Sequence, residues 1–111
     1  MEVYLVLSTA SSEKEGKKIA QHLVKEGLAA CVNVVPRISS FFFWEGKLCE
    51  EREVLILAKT EKGKMSKMIK KIRKMHSYAV PEILFLKVAG GNREYLQWVG
   101  KMAGKKNKKN Y

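Results

Sequence analysis

Residues 54–58 read Val54-Leu55-Ile56-Leu57-Ala58, apolar without a break. Successive side chains of a strand point to opposite sides of its sheet, so a strand apolar at every position must be covered on both faces. The flanking residues extend the strand reading over 48–60 (LCEEREVLILAKT). The same two-sided pattern recurs as VYLVL at 3–7, ACVNVV at 30–35 and ILFLKV at 83–88. Four such segments describe a sheet that is apolar above and below.

Working outward, residues 2–8 form the first strand and 28–36 the second, with Pro36 ending or bending it because proline cannot donate to a ladder. Residues 38–44 continue extended, Glu45-Gly46-Lys47 reads as a turn, and 48–60 returns as a long hairpin bent near Pro36 and Arg37. Strand four covers 82–88. Between strands one and two, Ser12 and Glu15 have the spacing of a capping box, and Ile19, Ala20, Leu23 and Val24 recur at helical period. Gly27 then closes a helix over 12–26. Thr60 is placed to cap a second helix over 61–76, with Met65, Met68, Ile69, Ile72 and His76 on one face and lysines on the other. The segment 77–81 is a connector, since the residue before Pro81 disfavours helix. After Gly90-Gly91-Asn92, a short third helix carries Tyr95, Leu96, Val99 and Met102 on one side.

The order β-α-β-β-α-β plus a C-terminal helix is the α+β, ferredoxin-like split βαβ fold. It occupies 1–103, and 104–111 reads as a basic, disordered tail. Two helices cover one sheet face, and the third is too short to cover the other. Self-association is the simplest cover for so large an apolar patch.

The 111 residues make one domain. The net charge of +11 concentrates in residues 61–76 and 101–111, and the rest of the chain is balanced. The functional reading of those two runs is attraction to a polyanion; the structural one is a solvated lysine face and a frayed tail. No apolar run reaches the roughly 18–20 residues of a membrane span, and the N-terminus lacks the basic start of a signal peptide, so no membrane partner and a cytoplasmic location are expected. Cys31 and Cys49 show no C-x-x-C spacing and are expected to stay reduced. The chain has no aspartate, no P-loop and no G-x-G-x-x-G, and a non-enzymatic role is expected.

Five stretches carry a family resemblance: Leu28-Ala29-Ala30-Cys31-Val32-Asn33, Trp44-Glu45-Gly46-Lys47, Lys59-Thr60, His76-Ser77-Tyr78-Ala79-Val80-Pro81-Glu82 and Asn92-Arg93-Glu94-Tyr95-Leu96-Gln97-Trp98. In this order the chain resembles the CutA family of divalent-cation tolerance proteins. The resemblance implies a homotrimer with sheets packed inward, the long hairpin extending a neighbour's sheet, and copper or another divalent cation as ligand, with no organic cofactor. It also implies subunit clefts lined by Trp44, Glu53, Lys59, Tyr78, Glu82 and Tyr95.

The copper site implied by the resemblance joins a cysteine at the end of strand one to two adjacent histidines after helix two. Here Ser8 stands in the cysteine's place and Met75 precedes His76. Imidazole suits copper and zinc, and a thioether suits Cu(I). Thus His76, Met75, Ser8 and Cys31 are the metal candidates, although Cys31 in an apolar strand also reads as a small buried residue. Two functions follow: copper binding in cation tolerance, or a trimeric scaffold or signalling protein that binds a small ligand in its intersubunit clefts. The RNA recognition motif shares the βαββαβ order, and Phe41, Phe42, Phe43 and Trp44 are aromatic, but its aromatic signature is absent and nucleic acid is not an expected partner.

Overall fold

The structure, a computed structural model, describes residues 2–105. In chain order the elements are β1 (Val3–Ala10), α1 (Glu13–Lys25), β2 (Cys31–Trp44), β3 (Lys47–Glu61), α2 (Met65–Met75), β4 (Ile83–Lys87) and α3 (Arg93–Met102). All strand pairs are antiparallel, in the order β2-β3-β1-β4. This is the ferredoxin-like α+β arrangement expected from the sequence.

The main core lies between the sheet and α1 and α2. Val6 and Ala10 of β1 and Ile56 and Ala58 of β3 face Ile19 and Leu23 of α1 and Met68 and Ile72 of α2. Their alternation leaves Leu5, Leu7, Leu55, Leu57, Leu84 and Leu86 on the opposite face. There α3 covers only one end, packing Val99, Leu96 and Met102 against Val3 and Ala30. Leu84 stays 53% and Leu86 45% exposed.

Several boundaries differ from the sequence reading for identifiable reasons. Leu28 and Ala29 are not strand: their amides both donate to the Leu23 carbonyl, and Gly27 at φ +71° donates to Val24, closing α1 in a Schellman motif. Ser12 caps α1 as expected, accepting from the Glu15 amide. The Glu15 carboxylate, however, takes the amide and hydroxyl of Ser11 instead of completing the box on Ser12. Thr60 does not cap α2. It lies fully buried in β3, and its hydroxyl donates to the Leu28 carbonyl at 2.7 Å. The helix itself begins later, at Met65, after a 3-10 turn over Lys62–Lys64.

The β2–β3 hairpin is continuous. The bend falls where expected: the register shifts between Val35 and Ile38, with Arg37 at φ +56°. Beyond it, the two strands run out to a tip at Glu45 (φ +50°) and Gly46 (φ +77°), the left-handed pair that tight hairpin turns need. Phe41, Phe43, Trp44 and Leu48 on this arm are exposed. Gly104 donates its amide to the Gly27 carbonyl, and Lys105 to Met102. The rest of the predicted tail lies outside the described residues.

Candidate functional site

Two polar clusters collect most of the candidate residues, one at each end of the sheet. The first gathers at the C-terminal end of β1. His76 follows α2, and its ring is enclosed between Thr9 and the connector 77–82. Its Nε2 lies 2.6 Å from the Thr9 carbonyl oxygen, and its Nδ1 accepts from the Tyr78 amide at 3.0 Å. A carbonyl only accepts and an amide N–H only donates, so the proton sits on Nε2 and the ring is neutral in this network. The Glu15 carboxylate takes the Ser77 amide at 2.7 Å and lies 4.0 Å from His76 Nδ1. Burial pushes the Glu15 carboxyl up, but bonds from Ser77 and Ser11 outweigh it and hold the group below the ordinary glutamate value. Tyr78 tilts against the imidazole, with ring centroids 4.7 Å apart, and donates to buried Glu53 at 2.7 Å. Burial, then the Glu53 carboxylate, raise the Tyr78 phenol far above its usual range.

The second cluster lies on the leucine face beside α3. Cys31 and Lys59 are register partners, and Lys59 Nζ donates to Asn33 Oδ1. Tyr95 of α3 reaches Cys31; burial first, then the sulfur, raise its phenol. Asn92 caps α3 by accepting from the Glu94 and Tyr95 amides, which fixes the turn that carries Tyr95. Tyr95 also stacks with Trp98, centroids 5.6 Å apart.

The six cleft candidates therefore do not line one cleft within a single chain. Glu53 and Tyr78 belong to the first cluster, Lys59 and Tyr95 to the second, and six strand residues, about 20 Å, separate Glu53 from Lys59. Trp44 is at the hairpin tip and Glu82 is exposed before β4. Sequence reasoning passed over two participants. Asn33 was visible as the one polar residue in ACVNVV. Glu15 reaches Ser77 across 62 residues, and no local pattern announces such a bond.

The metal candidates do not assemble a cation cage within one chain. Binding through His76 needs a free lone pair, and both ring nitrogens are committed to backbone groups. Ser8 Oγ is buried without a hydrogen-bond partner, and Met75 packs against the main core. Cys31 is half-buried in the other cluster. Among the described residues, no three His, Cys, Asp or Glu side chains come together in a metal-holding group.

These features define a class: a ferredoxin-like α+β protein with one uncovered apolar sheet face and polar clusters at its two ends. A family model described as CutA1 divalent ion tolerance protein matches residues 4–102. The chain belongs to that family. It is 44% identical over 100 residues to the divalent-cation tolerance protein CutA of Thermus thermophilus, covering 90% of this chain and 97% of that one. It is 43% identical over 91 residues to human protein CutA, covering 82% of this chain and 51% of the human one. It thus spans about half the length of that relative. The solved divalent cation tolerance protein (Cut A1) of Thermus thermophilus superposes with TM-score 0.89 at 43% identity, covering 92% of this chain and 99% of that one. CutA1 of Oryza sativa superposes with TM-score 0.90 at 35% identity, covering 93% and 94%.

Proposed function

We propose that the protein serves divalent-cation tolerance as a homotrimer, and that its ligand site forms where copies meet. The observation that carries this reading is the leucine face. Its apolar side chains are continuous across β3, β1 and β4, and α3 covers only one end. A patch of this kind calls for a protein partner, and a second copy of the chain is the simplest one. The edge strand β2 presents an open backbone ladder on either side of its bulge at Pro36 and Arg37, which another copy can pair. The number three follows the family resemblance.

The cation enters this reading as cargo. Cys31 offers a soft sulfur, which suits copper, while Lys59 beside it repels a bare cation and attracts an anion. That pairing favours a copper–anion complex over a free ion. Sedimentation velocity tests the assembly: the native chain, 12.7 kDa, should run as a trimer, and Leu84→Lys with Leu86→Lys should dissociate it. Copper titration in a citrate buffer then tests the site. Binding should be lost in the dissociated variant and in Cys31→Ala. Equal binding by the dissociated variant overturns the intersubunit site.

A second reading has one observation in its favour. Lys59, oriented by its bond to Asn33, sets an ammonium on the leucine face that can attract a small anion without a metal. On that reading the trimer is a scaffold or signalling protein, and a small anion raises its thermal midpoint while copper leaves it unchanged.

A further inference from the structure

The helix layer, opposite the leucine face, carries a groove that the cation-tolerance reading does not use. It has a volume of about 440 Å³ and is lined by Lys64, Lys67, Lys70, Lys71 and Lys74, with Leu28 and Glu26 from the end of α1. Lys71 pairs with Glu26 at 2.7 Å. Among the described residues, Lys64, Lys67, Lys70 and Lys74 make no ion pair. Gly104 closes one end, near Lys64.

A second observation is independent of the cavity. Arg73 and Lys74 suit the dipole at the end of α2, but the electrostatics of its start and of its lysine face run against helix stability. Its first turn has no acidic residue, and its N-cap Lys64 makes no side-chain cap bond. Lysines there oppose the helix dipole. Lys67, Lys70, Lys71 and Lys74 stand three and four residues apart, and each like-charged pair at that spacing costs about 0.2–0.5 kcal/mol. The neighbouring α1 does the opposite, with Ser12 as cap and Glu13 and Glu15 in its first turn. A local rule broken on one helix and obeyed on the next marks a site where an external charge completes the balance.

We propose that this groove binds a linear condensed phosphate (inorganic polyphosphate). The lysines form a row from 64 to 74, about 15 Å long at 1.5 Å per residue, so they match a chain of charges better than a single ion. Lysine ammoniums are point charges without the planar fork that arginine uses for bidentate recognition. The lining holds no aromatic side chain, so it offers no platform for nucleic-acid bases.

The test compares Lys67→Gln/Lys70→Gln with Lys14→Gln/Lys18→Gln, a pair of exposed α1 lysines that removes equal charge elsewhere. Binding of a polyphosphate of about ten phosphates is measured by calorimetry at several salt concentrations. With about 0.7 counterion released per contacted phosphate, the groove variant should bind about 25-fold more weakly at about 0.1 M salt, and its log–log salt slope should shrink by about 1.4. The α1 variant should bind nearly as the native protein does. Without ligand, the groove variant should melt at or above the native temperature, because repulsion within α2 is relieved; with ligand, it should gain less than the native and α1 variants. Equal weakening in both variants assigns binding to net charge and overturns the site. Tighter binding of a single-stranded oligonucleotide of the same charge overturns the ligand.

Discussion

His76→Ala should destabilise the fold by about 1.5–4.5 kcal/mol and leave copper binding unchanged. The histidine side chain is fully buried, and it joins the end of β1 to the start of the connector. Truncation orphans the Thr9 carbonyl in a residue only 8% exposed, a loss of about 1–3 kcal/mol. The Tyr78 amide belongs to a half-buried residue where water can substitute, so its loss is nearer the net value of one hydrogen bond, about 0.5–1.5 kcal/mol. Two further variants separate the bonds. Gln keeps a donor where Nε2 stood, and Asn keeps an acceptor where Nδ1 stood. Each should recover part of the loss, Gln the larger part because the Thr9 carbonyl is the more buried group. The assay is urea unfolding at one protein concentration in the presence of a chelator, followed by copper titration of the folded variants. A His76→Ala protein within about 0.5 kcal/mol of native, with copper binding lost in all three variants, would refute the argument and make the imidazole a ligand.

Glu15 holds a depressed folded-state pKa, so it contributes stability above the ordinary glutamate value of 4.5, and this is lost as pH falls through the folded value. Glu15→Gln should flatten that acid limb of the stability–pH curve below about pH 4.5 in circular-dichroism titrations; a limb of native steepness contradicts the assignment. Gly27→Ala should lower stability by about 1–3 kcal/mol, because a left-handed alanine costs about 1–2 and the added Cβ would stand 2.8 Å from the Lys105 carbonyl. Faster amide exchange at Gly104 in that variant reports the loosened contact with Gly27. Thr60→Val keeps the shape of a fully buried side chain but loses its bond to the Leu28 carbonyl, for about 1–3 kcal/mol by urea unfolding.

Much of the fold was legible because hydrophobic pattern is a local signal. VLILA at 54–58 announced a strand needing cover on both faces, and the structure puts Ile56 in the main core and Leu55 and Leu57 on the other side. The cap at Ser12 and the end at Gly27 were likewise written into a few adjacent residues. Thr60 was misread because a hydroxyl ahead of a basic helix looks like a cap, while its partner, Leu28, lies 32 residues earlier. The same limit governs the site. His76 was visible as a candidate, but what its ring does depends on Thr9, 67 residues away, and on the backbone of Tyr78. Cys31, Lys59 and Tyr95 come from three separate elements, so their meeting is a product of register and docking, beyond the reach of any spacing rule.

The strand order β2-β3-β1-β4 has a consequence for how the chain is made. Of the four strands of this sheet, the earliest in the chain is an interior one, and both of its neighbours, Lys47–Glu61 and Ile83–Lys87, are synthesised later. At about 5–20 residues per second, β1 waits several seconds for β3 and longer for β4. During that interval VYLVL has no backbone partner, and only α1, made directly after it, can cover one of its sides. The nascent segment is therefore where a chaperone is most needed, and slowing translation across β3 should lower the soluble yield more than slowing it after β4.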